Sequence, residues 1–100
     1  MNPIPKKLLV IVAEAALENA LVQTVLRLGA RGYTVGDVRG AGAAGAREGA
    51  WEADRTIEMK VICDADVAER IGEAVLAAYG EHYGLSMTFA DVAVLRGAKY

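Results

Sequence analysis

The stretch Arg55–Cys63 limits what this chain can fold into more than any other. Ile57, Met59, Val61 and Cys63 alternate there with Thr56, Glu58, Lys60 and Ile62. Successive side chains of a strand point to opposite faces, so this alternation predicts a strand in a sheet with one buried face. Lys6–Ala13 carries a different pattern, the unbroken run Leu8, Leu9, Val10, Ile11 and Val12. That run suits a central strand covered on both faces.

The remaining segments fit around these two strands. Glu14–Ala30 reads as a helix, because Leu17, Leu21, Val25 and Leu28 recur at helical spacing with Glu14, Glu18 and Arg27 off the stripe. Gly29 and Gly32 supply its stop, since glycine takes the left-handed conformation that ends helices. Tyr33–Arg39 reads as a strand. Asp64 or Asp66 can cap a second helix, a side-chain oxygen there accepting a free first-turn N–H. Val67, Ile71, Val75 and Ala78 give that helix its apolar stripe. Gly80–Gly84 is a tight connection, Leu85–Arg96 a last strand and Gly97–Tyr100 a tail. Met59, Met87 and Phe89 are expected in the sheet core. The order β-α-β-β-α-β predicts an α+β fold, a ferredoxin-like sandwich with an antiparallel sheet and two helices on one face.

With 100 residues the chain is one domain, 1–100. So short a chain buries only roughly 60–70% of the surface its unfolded form exposes, so oligomerisation helps. Its hydrophobic fraction of 54% points to apolar surface reserved for a neighbour. A net charge of -2 with both signs interspersed lacks the dense basic patch of a nucleic-acid binder. No apolar run reaches the ~20 residues of a membrane span. Lys6, Lys7 and the short run after them read as a buried strand rather than a signal peptide. The lone cysteine, Cys63, forms neither an internal disulfide nor a cysteine-rich metal site, and reads as a small core residue in a reducing cytoplasm.

Between the second and third strands the composition changes. Gly40–Asp54 is rich in Gly and Ala and reads as a long mobile loop, because it buries too little to order itself. Gly40, Gly42 and Gly45 spell the G-x-G-x-x-G of a dinucleotide site. That motif has meaning only where it opens a helix after a strand, and here the chain continues through Arg47, Glu48, Gly49, Ala50 and Trp51 into another strand. The dinucleotide reading is therefore set aside. Glycine amides can still face an anion, and Arg39 and Arg47 flank the loop with guanidinium groups suited to phosphate or carboxylate. A flexible hinge with solvated arginines explains the same residues equally well.

The stretch Gly32-Tyr33-Thr34-Val35-Gly36-Asp37-Val38-Arg39-Gly40-Ala41-Gly42 resembles the G-x-T-V-x-x-V-x-G-x-G segment of PII signal-transduction proteins. In that family it is the second strand running into the base of a long loop, the T-loop. The element order and the short connection at Gly80–Gly84, the family's B-loop, extend the resemblance over nearly the whole chain. The resemblance implies a homotrimer with its sheets facing inward and adenine-nucleotide sites in clefts between subunits. It implies a T-loop, about residues 40–54, whose shape reports the bound ligand to a protein partner. It places Thr34 at the adenine, Gly40 and Gly42 around the nucleotide, and Lys60 and Ile62 along the cleft. It places Gly84 beside the phosphates, with Arg96 reaching them and Lys99 adding charge.

Departures from the family narrow the ligand. The loop is short and lacks a tyrosine to uridylylate. Glu81, His82 and Tyr83 stand where the B-loop lysine is expected, and no loop-base glutamine is present for magnesium and 2-oxoglutarate. ADP or AMP is thereby favoured, with no metal. The Arg47–Glu52 stretch is similar to short-loop PII-like proteins linked to inorganic-carbon uptake and carboxysomes. That similarity implies bicarbonate as a second ligand, held by Arg39, Arg47 and glycine amides. It also implies a partner such as a bicarbonate transporter or a carboxysome-related protein.

Three other classes compete. A trimeric metal-linked protein of the same fold, of the copper-tolerance type, is the alternative. An acyl-phosphate hydrolase needs a rigid arginine cradle near the first strand, where the chain has Ala13, Glu14, Ala15 and Ala16. RNA recognition needs exposed sheet aromatics and a basic rim. His82 lacks partners for catalysis or metal and reads as an exposed connection residue. Trp51 reads as an anchor folding back on the body or as a partner contact. Glu48, Glu52 and Asp54 make no defined acid–base pair. The chain is expected to catalyse no reaction.

Overall fold

The computed structural model describes residues 2–42, 45–47, 55–81 and 84–100. Its elements are β1 (Ile4–Glu14), α1 (Glu18–Arg27), β2 (Thr34–Val38), β3 (Gly40–Gly42), β4 (Gly45–Arg47), β5 (Thr56–Cys63), α2 (Ala65–Tyr79) and β6 (Ser86–Val94). A 3-10 turn, Ala15–Leu17, joins β1 to α1, and another, Gly97–Lys99, ends the chain. The main sheet runs β2-β5-β1-β6, and its ladders are antiparallel. This is the α+β, ferredoxin-like arrangement that the element order predicts.

The register assigns the faces. Leu9 pairs with Val61 and Phe89, and Ile11 with Met59 and Met87. Paired residues share a face, and this one carries the helices. Leu9, Ile11, Ile57, Met59 and Val61 are buried there against Leu21, Val25, Ile71 and Val75. Full burial of one such side chain stabilises by about 1.5–3 kcal/mol. Cys63 lies in the same cluster, and burial pushes its thiol pKa up, with Asp64 and Asp66 adding to the effect.

The opposite face bears no helix. Leu8, Val10 and Val12 lie on it, half-buried, beside Ile62, Ala90 and Val92. The expectation that both faces of β1 are covered therefore holds on the helix side alone within one chain.

Local differences have plain causes. Glu14 ends β1 rather than opening a helix, pairing with Thr56. The amide of Ala15 donates to the Arg55 carbonyl at 2.9 Å, and the chain passes through the 3-10 turn before α1 starts. On α2 the buried positions are Ala68, Ile71, Gly72 and Val75, while Ala78 is exposed. Small residues occupy the stripe where the helix approaches the sheet. Phe89, expected in the core, remains 49% exposed at the β6 edge, its ring over Gly72. Asp64 precedes α2 without a side-chain cap and instead accepts from Lys6 Nζ at 2.7 Å. The last four residues, read as a tail, contain a turn closed by Lys99 N–H to Arg96 O at 3.0 Å. Gly40–Gly42 and Gly45–Arg47, read as part of a loop, pair antiparallel. A ladder needs only backbone groups, so Gly and Ala form one without burying side chains. The readings of Glu48, Trp51, Glu52, Asp54 and His82 fall outside the described residues.

Candidate functional site

β1 is the ruler of the sheet. At its Glu14 end lie Thr56, Val38 and Ser86; at its Ile4 end lies Val94. A strand rising about 3.3 Å per residue puts roughly 30 Å between those ends. The longest extent of the molecule, 44 Å, accommodates this.

The candidate residues divide along that axis. Gly40 and Gly42 follow β2 at the Glu14 end, with exposed Arg39 just before them. The backbone of Arg47 pairs with that of Gly40. Gly84 precedes β6 at the same end but at the opposite edge of the sheet. Open space surrounds the position of a β-carbon at either Gly40 or Gly42, so their backbone is approachable.

Lys60 and Ile62 lie on the helix-free face. Lys60 pairs with Thr34 across the β2–β5 ladder and stands 3.5 Å from Glu58. Thr34, exposed, opens β2.

Arg96 and Lys99 lie beyond Val94, at the Ile4 end. The turn that carries them crosses the end of the sheet. A β-carbon on Gly97 would stand 2.6 Å from Ile4 Cδ1, and Arg31 Nη1 donates to the Ala98 carbonyl at 2.7 Å. One chain therefore keeps Arg96 and Lys99 far from Gly40, Gly42 and Gly84, with Thr34 level with Val10 between the two ends.

Each end of the sheet carries an ion pair of its own. At the Ile4 end, Lys6 beside Asp64 holds its carboxyl below the usual carboxylate range, and Arg31 contributes. At the Glu14 end, Arg55 Nη2 lies 2.9 Å from Asp37 Oδ1, joining the entry and exit of the intervening segment. Neither Arg31 nor Arg55 emerges from the sequence pattern, because nothing in one dimension shows their partners. Among the described residues no group of three or more His, Cys, Asp or Glu is placed to hold a metal ion.

Residues 6–99 match the family model of the nitrogen regulatory protein P-II. The chain belongs to the nitrogen regulatory protein P-II family. A PII-like signalling protein from Thermus thermophilus is 41% identical, with a TM-score of 0.86 over 100% of this chain and 99% of that one. CPII, a nitrogen regulatory PII-like protein from Thiomonas intermedia, gives a TM-score of 0.87 at 24% identity, over 98% of this chain and 95% of that one. That CPII structure is bound to ADP, AMP and bicarbonate. A DUF3240 family protein from Shewanella baltica shares the fold at 16% identity and a TM-score of 0.64, each chain covered over 87%. No curated protein matches the chain. The PII-like resemblance of the Gly32–Gly42 stretch is thus confirmed at the level of the family.

Proposed function

We propose that this P-II family chain is a non-catalytic regulatory protein of the cytoplasm that binds ADP or AMP between the subunits of a trimer. The observation that carries the reading is the split of the candidate residues. Gly40, Gly42 and Gly84 stand at one end of the sheet, and Arg96 and Lys99 at the other. That separation exceeds the reach of a nucleoside diphosphate. Two chains placed around a cyclic axis bring one end against the other, because a ring joins different patches of neighbouring subunits.

Two further facts support the reading. The helix-free face presents Leu8, Val10, Val12 and Ile62 as apolar surface for neighbours. CPII, of the same fold, is seen with ADP, AMP and bicarbonate. In the proposed site the glycine amides and Gly84 surround the phosphates, Arg96 and Lys99 neutralise them, and Thr34, Lys60 and Ile62 line the cleft. Bicarbonate is the second ligand, held by Arg39, Arg47 and loop amides. The T-loop, about residues 40–54, then reports to a partner in inorganic-carbon regulation, such as a bicarbonate transporter or a carboxysome-related protein.

Calorimetric titration of ADP, AMP and magnesium-ATP, each with and without bicarbonate, tests this. The reading expects saturable binding approaching one nucleotide per chain, with ADP or AMP preferred and tightened by bicarbonate. Absence of binding to all three would remove the nucleotide site. Binding unchanged by bicarbonate would remove the second ligand alone.

A further inference from the structure

We propose that Arg31 is a positioning residue that fastens the C-terminal turn, so that Arg96 and Lys99 meet the phosphates of a nucleotide already ordered. The inference rests on the proposed nucleotide site and adds to it a residue outside the family-like stretch Gly32–Gly42.

The geometry is specific. β6 is one edge of the sheet and β2 the other, with β5 and β1 between. The chain leaves β6 at Val94, and by Ala98 it is within reach of Arg31, in the connection from α1 to β2. Arg31 Nη1 donates to the Ala98 carbonyl at 2.7 Å, a charge-assisted bond across 67 residues of sequence. Ala98 lies between Arg96 and Lys99, so the bond grips the middle of the turn bearing both cations. The turn closes on itself through Lys99 N–H to Arg96 O at 3.0 Å and Tyr100 N–H to Gly97 O at 3.1 Å. Gly97 rests on Ile4. Arg96, Ala98 and Lys99 are exposed, so the turn buries little and depends on such ties. Ile4 supplies one tie and Arg31 the other.

Nearby, Asp64 is held by Lys6 Nζ at 2.7 Å. The Arg31–Ala98 bond thus links the connection before β2 to the turn after β6. Thr34 is three residues from Arg31. The tether therefore sets the placement of Arg96 and Lys99 relative to Thr34, the residue assigned to the adenine. Ordering these side chains before the ligand arrives removes part of the ordering cost from binding.

The test compares Arg31→Ala with the unaltered trimer. Arg31 is exposed, so the fold is expected to survive its loss. The first readout needs no ligand: NMR order parameters for residues 97–100 should fall below roughly 0.6 in Arg31→Ala. Unchanged order there would overturn the tether. The second readout is titration with ADP and with adenosine, which lacks phosphates. Loss of a tether predicts ADP binding weakened about 3- to 10-fold with adenosine affinity unchanged. Equal losses for both ligands, or no loss, would overturn the positioning role.

A background of Arg96→Ala with Lys99→Ala separates positioning from direct contact. There Arg31→Ala should have no further effect on ADP, because nothing remains to be positioned. A full further loss would mean that Arg31 itself meets the phosphates and would overturn the inference. A wild-type chain that binds no ADP would remove the nucleotide site and the positioning role together. A wild type that binds ADP while Arg31→Ala binds it equally well would remove the positioning role alone.

Discussion

Lys6, on the first strand, donates to the carboxylate of Asp64 at 2.7 Å, across 58 residues of sequence. The bond fixes the start of α2 to β1 and favours the ionised carboxylate in the folded chain. A carboxyl held below its unfolded value contributes stability that is present above about pH 4 and lost as pH falls through the lowered folded value. Asp64→Asn removes that contribution. The stability gap between wild type and variant, from urea unfolding, should be constant between about pH 5 and 7 and shrink below about pH 4. A gap independent of pH would show that Asp64 does not carry it.

The helix-free face leads to a prediction about assembly. Val10 is half-buried there, next to Lys60 and Thr88 in the ladders. Val10→Glu places a charge on this face without disturbing Leu9 or Ile11 beneath the helices. Sedimentation should show loss of the proposed trimer, with far-ultraviolet circular dichroism retained. A trimer that persists would put the subunit contacts elsewhere. By contrast, Leu9→Ala, wholly buried, should destabilise by about 2–5 kcal/mol.

Arg96 carries a phosphate prediction. Arg96→Ala should weaken ADP binding by about 1.5–3 kcal/mol, the range for a hydrogen bond to a charged group. AMP, with one phosphate fewer, should lose less. Equal affinities for the variant and the wild type would remove Arg96 from the site.

Cys63 is 1% exposed, and burial raises its thiol pKa. The thiolate is the reactive form, so thiol reagents at neutral pH should label the folded protein slowly and the denatured protein at once. Rapid labelling of the folded chain would contradict its burial.

Sequence reasoning succeeded where side-chain periodicity carries the information. Ile57, Met59, Val61 and Cys63 are all buried as their alternation requires, and so are Leu21 and Val25 on α1, with Leu17 buried in the turn just before it. It failed where structure depends on backbone or on distant partners. The β3–β4 ladder uses Gly and Ala, which give no periodic signal. The cap expected of Asp64 is absent because Lys6 claims its oxygen, and that partner is invisible locally. Arg31 showed no motif, since its acceptor is a carbonyl near the other end of the chain. Gly40, Gly84 and Arg96 are candidates through a family-like stretch and element order alone. Their division between the two ends of the sheet required the register of β1.

That division implies a site completed by two chains, and mixing subunits checks it. Gly42→Val has open space at its β-carbon in the single chain, so it should fold while obstructing the loop-base half of a site. Arg96→Ala damages the other half. Trimers re-formed from an equal mixture of the two variants contain intact sites wherever an undamaged loop base meets an undamaged arginine. In a cyclic trimer that is about a quarter of all sites. Calorimetry with ADP should recover that fraction at wild-type affinity, although neither variant alone has it. No recovery from mixed trimers would contradict a site shared between chains.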